Sequence, residues 1–178
     1  MKRTLSWLFV LMGIGAWVFA LGFVFVRSKI ETSPSTEAPL VGHTAPDFEL
    51  QNLDGQNIKL SELRGHPVLI NFWATWCGYC LDEMPVIEKY YEHYAPNLTV
   101  LGVEVGDSVD DVRAVVAKYG FTYDMLRDPD SIVFDRYKLD AFPVTFMVDS
   151  QGIIQVKHLG WMSENKLVSY LSQVGLEK

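Results

Sequence analysis

Both cysteines of the chain stand three positions apart, in Trp76-Cys77-Gly78-Tyr79-Cys80. An apolar run, Val68-Leu69-Ile70-Asn71-Phe72-Trp73, precedes them, and a stretch of helical character follows. Two thiols at a strand-to-helix junction suit the reversible making and breaking of a disulfide. A helix start supplies unpaired N–H groups and the positive end of the helix dipole, and both favour thiolate over thiol. A second thiol about one turn further on can then attack a mixed disulfide formed by the first.

Other readings of the pair are weaker. A disulfide closing so short a loop adds little through chain entropy. A structural zinc takes four Cys or His ligands, and His43, His66, His93 and His158 are scattered, none at ligand spacing from the pair. The peroxidase pattern Pro-x-x-x-Thr/Ser-x-x-Cys, counted back from Cys77, needs Pro at position 70 and Thr or Ser at 74. Ile70 and Ala74 stand there instead.

The elements that must position the pair are legible as a pattern. Gly42 to Leu50 leads into a short hairpin with Asp54-Gly55 at its turn, and Ser61 to Gly65 reads as a helical turn closed by glycine. Val68 to Trp73 has the continuous apolar character of a buried central strand. The helix bearing the cysteines is expected from about Gly78 to Tyr94, kinked at Pro85. Leu98 to Val105 predicts a second buried strand, followed by an amphipathic helix from about Ser108 to Tyr119. A shorter helix is expected over Ile132 to Lys138 and a strand over Val144 to Val148. Ser150-Gln151-Gly152 turns that strand into Ile153 to His158, and a last helix runs from Ser163 to near Gly175. Strands alternating with helices, then a hairpin, then a helix, predict an α/β fold with a mixed central sheet flanked by helices. There is no internal repeat and no second folded domain.

With 178 residues and 49% hydrophobic content, the chain allows one domain plus an appendage. Residues 7–26, Trp7 to Val26, carry no charge and are long enough to cross the hydrocarbon core as a single transmembrane helix. Residues 1–6 then form a cytoplasmic N-terminus, 27–40 a flexible linker rich in Ser, Thr, Pro and Glu, and 41–178 the folded domain. Lys2 and Arg3 on one flank nearly balance Arg27 and Lys29 on the other. A cleaved signal peptide is the competing reading, with Val18-Phe19-Ala20 as the cleavage site. The apolar run continues past it to Val26, which favours an uncleaved anchor. Neither cysteine lies near this segment, which excludes lipoprotein processing.

All 22 acidic residues lie beyond position 30, with 11 of the 15 basic ones, so that portion carries a formal −11 against −7 for the whole chain. Such a surface suits neither nucleic acid nor anionic lipid headgroups. No metal, flavin or nucleotide motif is present, and no cofactor is expected. Thiols on the outer side of the membrane face a compartment where disulfides persist. There a pair of this kind either supplies disulfides or, given an electron source, removes them.

Ala45-Pro46-Asp47-Phe48-x-Leu50, Asn71-Phe72-Trp73-Ala74-Thr75-Trp76-Cys77-x-x-Cys80, Glu83-x-Pro85 and Phe142-Pro143-x-Thr145-Phe146 together resemble the thioredoxin-like superfamily. Within it they are similar to the TlpA/ResA/CcmG branch of membrane-tethered thiol-disulfide oxidoreductases, with a redoxin (AhpC/TSA-like) domain. The resemblance runs from about Val41 to Gly175. It implies that Cys77 is the exposed attacking thiol and Cys80 the buried resolving one. It also implies that Pro143 is a cis-proline facing the disulfide, with the backbone of Phe142 pairing with an extended substrate segment. A plain strand-starting proline is the alternative. Trp73 reads as core, and Trp76 as a flat apolar rim beside Cys77.

Thioredoxins proper carry a buried Asp just before Phe-Trp, where this chain has Asn71, which cannot ionise. Glu83, three positions after Cys80 and on the same helix face, is the candidate to handle the proton instead. A carboxylate there would raise the thiol pKa values, and burial would raise its own. A surface glutamate in the first turns of a helix is the bland alternative. Between the cysteines the chain departs from its relatives, with Tyr79 where many have proline. Glu104, in an otherwise apolar strand, has no evident role.

The resemblance implies a reductant of disulfides in partner proteins, such as the haem-attachment cysteines of apocytochrome c in cytochrome c maturation. Its electrons would come from a membrane thiol-disulfide transporter of the CcdA/DsbD kind. The expected place is the cell membrane, with the catalytic domain on the extracytoplasmic side. Two other functions stay open: a disulfide-introducing oxidase or a reductant of other envelope proteins, and a membrane-tethered scaffold whose CxxC is inert.

Overall fold

Strand β3 (Val68–Trp73) is buried along its whole length, and the architecture follows from covering both of its faces. The computed structural model describes residues 37–177. The expected anchor and residues 27–36 of the expected linker lie outside the described residues. No described helix is long and apolar enough to cross a membrane.

Side chains alternate across a strand, and β3 feeds two separate cores. Val68, Ile70 and Phe72 join one cluster, with Leu101, Leu126, Tyr137 and Phe146. Leu69 and Trp73 join the other, with Met84, Ile87, Val100, Tyr123 and Leu167. On one side β3 pairs in parallel with β4 (Thr99–Val105), which pairs in parallel with β5 (Asp124–Asp128). On the other it pairs antiparallel with β6 (Val144–Val148), and β6 with β7 (Ile154–Leu159). The hairpin of β1 (Glu49–Asn52) and β2 (Asn57–Lys59) joins the sheet through β1 and β5. The order is β2-β1-β5-β4-β3-β6-β7, a mixed sheet with the expected thioredoxin-like arrangement.

Helix α1 (Gly78–Tyr94) buries Cys80, Glu83, Met84, Ile87 and Tyr90, a stripe at three- and four-residue spacing that lies on the Trp73 face. It runs through Pro85 in one piece. Helices α2 (Val109–Tyr119) and α4 (Glu164–Gln173) contribute Val112, Leu167 and Leu171 to the same core. Right-handed crossovers from β3 to β4 and from β4 to β5 put α1 and α2 on one side. The short α3 (Ile132–Arg136) and the 3-10 turn Leu60–Leu63 cover the opposite core through Val133 and Leu60.

Two details differ from the sequence reading. α3 stops at Arg136 rather than Lys138, which takes a left-handed backbone with φ 53°. β5 has no counterpart in the expectation, because Asp124, Arg127 and Asp128 make it look like a loop. It forms because β4 and β1 pair with it from both sides. Its buried Asp128 accepts the Val133 and Phe134 N–H groups, which fixes the start of α3.

Ahead of β1, the chain is laced to the start of β7. Gly42 N–H donates to Ile154 O at 2.8 Å, Ile154 N–H to His43 O at 2.9 Å, and Ala45 N–H to Gly152 O at 2.9 Å.

Gly102 of β4 lies against the ring of Trp73. A Cβ there would stand 2.7 Å from Met125 Sδ, 3.0 Å from Tyr123 Cε2 and 3.3 Å from Trp73 Nε1. All three partners are buried, so the overlap must be relieved by moving core side chains. Gly102→Ala is expected to destabilise the fold by about 1–3 kcal/mol, read as a lowered urea midpoint at unchanged m-value.

Candidate active site

Past Trp73 the chain leaves the sheet through Ala74-Thr75-Trp76, and Cys77 is the N-cap of α1. Cys77 N–H donates to Ala74 O at 3.1 Å, and Leu81 N–H donates to Cys77 O at 3.1 Å. Cys80 N–H donates to Cys77 Sγ at 3.2 Å. The sulfur therefore takes the place of a capping oxygen at the positive end of the helix, the setting that favours thiolate. Cys77 and Cys80 are joined by a disulfide. Thr75 N–H donates to Asp107 Oδ2 at 2.7 Å, so the loop after β4 grips the turn leading to Cys77.

The two sulfurs are not equivalent. Cys80 is fully buried in the stripe of α1, whereas Cys77 keeps 7% exposure. The expectation of an openly exposed Cys77 is corrected: its sulfur is turned back onto the first turn of the helix by the bond from Cys80. The exposed surface belongs to its neighbours Trp76 and Tyr79, at 71% and 70%. Trp76 meets Phe142 edge-on, with ring centroids 5.7 Å apart, and Phe142 packs on Phe134 at 4.9 Å. Trp73, by contrast, is core. The Phe142–Pro143 bond is cis. Phe72 is in register with Val144, which sets Pro143 level with Trp73, the last residue of β3, four residues before Cys77. Pro143 O accepts Gly160 N–H at 2.8 Å.

Glu83 is no surface residue. Only 1% exposed, it accepts Asn71 Nδ2–H at 2.8 Å on Oε1 and Met162 N–H at 2.8 Å on Oε2. Burial pushes its pKa up from 4.5 to about 7, while the bonds from Met162 and Asn71 pull in the other direction. The carboxyl thus changes charge near neutrality, one helical turn behind Cys80. Asn71 is held in turn by donating to Thr145 Oγ1 at 3.0 Å. A strand asparagine, a strand threonine and a loop N–H together fix one buried acid on the same helix face as Cys80, three positions on.

Glu104 is also buried, with its pKa raised to about 7, mainly by burial. Asn71 and Thr145 could be suspected from sequence as polar residues in apolar strands. Asp107 and the Met162 N–H carry no such signal, because loop geometry alone brings them to the site. Among the described residues, no group of three His, Cys, Asp or Glu is placed to hold a metal ion.

Comparison with known proteins agrees with this geometry. Residues 41–157 match the model of the AhpC/TSA family. The thioredoxin-like protein YneN of Bacillus subtilis is 39% identical over 129 residues, covering 71% of this chain and 75% of that one. The thiol-disulfide oxidoreductase ResA of the same species is 30% identical over 158 residues, covering 88% and 87%. A crystal structure of a candidate thiol:disulfide interchange protein DsbE from Chlorobium tepidum superposes with a TM-score of 0.71 at 28% identity. It covers 76% of this chain and 99% of that chain.

Proposed function

The chain belongs to the AhpC/TSA family, in the company of thiol-disulfide oxidoreductases of the ResA and DsbE type, and from that premise we propose that it reduces disulfides of partner proteins outside the cytoplasm. It is an enzyme of thiol-disulfide exchange acting on disulfide-containing proteins. The peroxidase pattern is not its chemistry, since Ile70 and Ala74 stand at the positions that pattern requires.

One observation carries the direction: the buried carboxyl of Glu83 behind the cysteine pair. Strong disulfide oxidants owe their potential to a stabilised reduced, thiolate form. A negative charge developing next to the sulfurs opposes that stabilisation and favours a reductant. In the forward reaction reduced Cys77 attacks the partner's disulfide and displaces one partner sulfur as a thiolate, which takes a proton. Cys80 gives up its proton and attacks Cys77 Sγ, closing the disulfide of the protein and releasing the second partner thiol. Glu83 is placed to receive the Cys80 proton and return it when the pair is reduced again. Trp76, Phe142 and the Pro143 turn form the apolar rim on which the partner's segment rests.

The substrate pair we assign is the haem-attachment cysteines of apocytochrome c, which must be reduced before haem is joined. The electron donor would be a membrane thiol-disulfide transporter of the CcdA/DsbD kind. The uncharged run 7–26 supports placing the enzyme at the membrane, single-pass, with its catalytic domain on the extracytoplasmic side.

The Cys80→Ser variant tests the reading. Without the resolving sulfur, Cys77 is expected to stay in mixed disulfides with its clients, identifiable by mass spectrometry as apocytochromes. The wild-type potential is expected near or below that of thioredoxin, about −270 mV, whereas a value close to −120 mV would make the protein an oxidase.

A further inference from the structure

The mechanism leaves one buried acid without a task. By strand register Glu104 of β4 lies beside Trp73 of β3 and Arg127 of β5. It is wholly buried. Oε1 accepts the Asp107 N–H at 2.7 Å, and Oε2 has no partner. Arg127 Nη2 donates to the Asp107 C=O at 3.2 Å, so the backbone of Asp107 is held through both its N–H and its carbonyl. The Asp107 carboxylate in turn receives the Thr75 N–H, two residues before Cys77. A buried carboxyl oxygen without a hydrogen-bond partner is costly, and this carboxyl is the root of a connection that ends at the Thr75 N–H, in the turn leading to Cys77.

We propose that Glu104 is a positioning residue for Cys77, acting through Asp107 and Thr75, so that the proton held by Glu104 sets how readily the Cys77 sulfur ionises. The inference rests on the thiol-disulfide reading given above. Three elements meet Glu104: β3 offers the neutral Trp73, β5 the guanidinium of Arg127, and the loop after β4 the carboxylate of Asp107. Burial is the main force raising its pKa to about 7, and the charge of Asp107 and hydrogen bonding with its side chain add to it, while the Asp107 N–H bond and Arg127 oppose it. Below neutrality Glu104 is uncharged. As pH rises it becomes an anion that repels Asp107 and, more weakly, a thiolate at Cys77. The Cys77 thiol then titrates with its midpoint moved up by that charge.

The test is the rate of Cys77 alkylation by iodoacetamide against pH, in the full chain carrying Cys80→Ser, with and without Glu104→Gln. Glutamine keeps the acceptor for Asp107 N–H and removes the charge. Both proteins retain Glu83, so the difference belongs to position 104. The Cys77 midpoint is expected to fall by roughly half a unit on removal of the charge, giving about threefold more thiolate below it. Superimposable curves would overturn the proposal. A parent protein whose Cys77 does not ionise below about pH 10 would overturn the thiol-disulfide reading instead. If Glu104→Gln does not fold, the infrared carboxylic C=O band of the wild type decides. Between about pH 5 and 9 two buried acids should lose that band, both with midpoints that differ between disulfide and dithiol forms. A redox-dependent midpoint for one acid only would refute the role of Glu104.

Discussion

Cys77→Ser will abolish reduction of a protein disulfide, with a loss on the order of 10³-fold or more, the scale on which removal of an enzyme nucleophile registers. No other group can take over. Cys80 is fully buried behind the first turn of α1, and the chain has no third cysteine. The hydroxyl that replaces the sulfur is a far weaker nucleophile at neutral pH. The fold itself should survive, because a disulfide closing so short a loop contributes little chain-entropy stabilisation and serine is a good N-cap for α1. The two readouts therefore separate: activity vanishes while the unfolding midpoint of the reduced protein barely moves. Substantial residual turnover would place the chemistry elsewhere, and a collapsed fold would make the pair structural.

Glu83→Gln will alter the pH dependence of stability more than stability at any one pH. In the folded protein the Glu83 pKa is about 7, against 4.5 for an unburied carboxyl. A raised pKa means that the contribution of the group is complete below about pH 4.5 and is lost as pH rises through 7. Over that 2.5-unit window the loss is about 3 kcal/mol. Glutamine does not ionise, so its unfolding free energy should lack this decline. Its amide N–H₂ faces either Asn71 Nδ2–H or Met162 N–H, both donors, and that mismatch lowers stability by a constant amount at all pH values. Urea unfolding of the disulfide form at pH 5 and pH 8 isolates the pH-dependent part. The stability of the variant relative to wild type should be about 2.5 kcal/mol more favourable at pH 8 than at pH 5, since pH 5 already lies inside the window. An unchanged difference would mean that Glu83 is already ionised in the folded state. In the dithiol form the same substitution should lower the pKa values of the cysteine pair, since it removes the negative charge behind them.

Much of the fold was written in local pattern. The continuous apolar run Val68 to Trp73 gave the central strand, and the stretch from Gly78 to Tyr94 gave the extent of α1, whereas its buried face, Cys80, Met84, Ile87 and Tyr90, came only with the structure. β5 escaped because its alternation is masked by Asp124, Arg127 and Asp128, of which Asp124 accepts from Asn52, Arg127 donates to the Asp107 carbonyl and Asp128 caps the start of α3. At the site, the cysteines and Glu83 were legible because the chemistry and the helical spacing lie in one short stretch. Asp107 was not, because its link to Thr75 spans 32 residues and is made by a loop. The burial of Cys77 was also misjudged. A residue at a helix start looks open in sequence, but the turn-back of its sulfur appears only with the three-dimensional arrangement.

The lacing of Gly42, His43 and Ala45 to Ile154 and Gly152 sets where a minimal catalytic fragment can begin. Among the described residues the first strand starts at Glu49, and an expression boundary drawn there would strip two backbone bonds from Ile154 at the beginning of β7, the last strand of the sheet, and a third from Gly152 in the turn before it. Bare strand borders of this kind recruit other chains. A fragment starting before Gly42 keeps that border sewn shut, while one starting at Glu49 should precipitate or self-associate even with its cysteines intact.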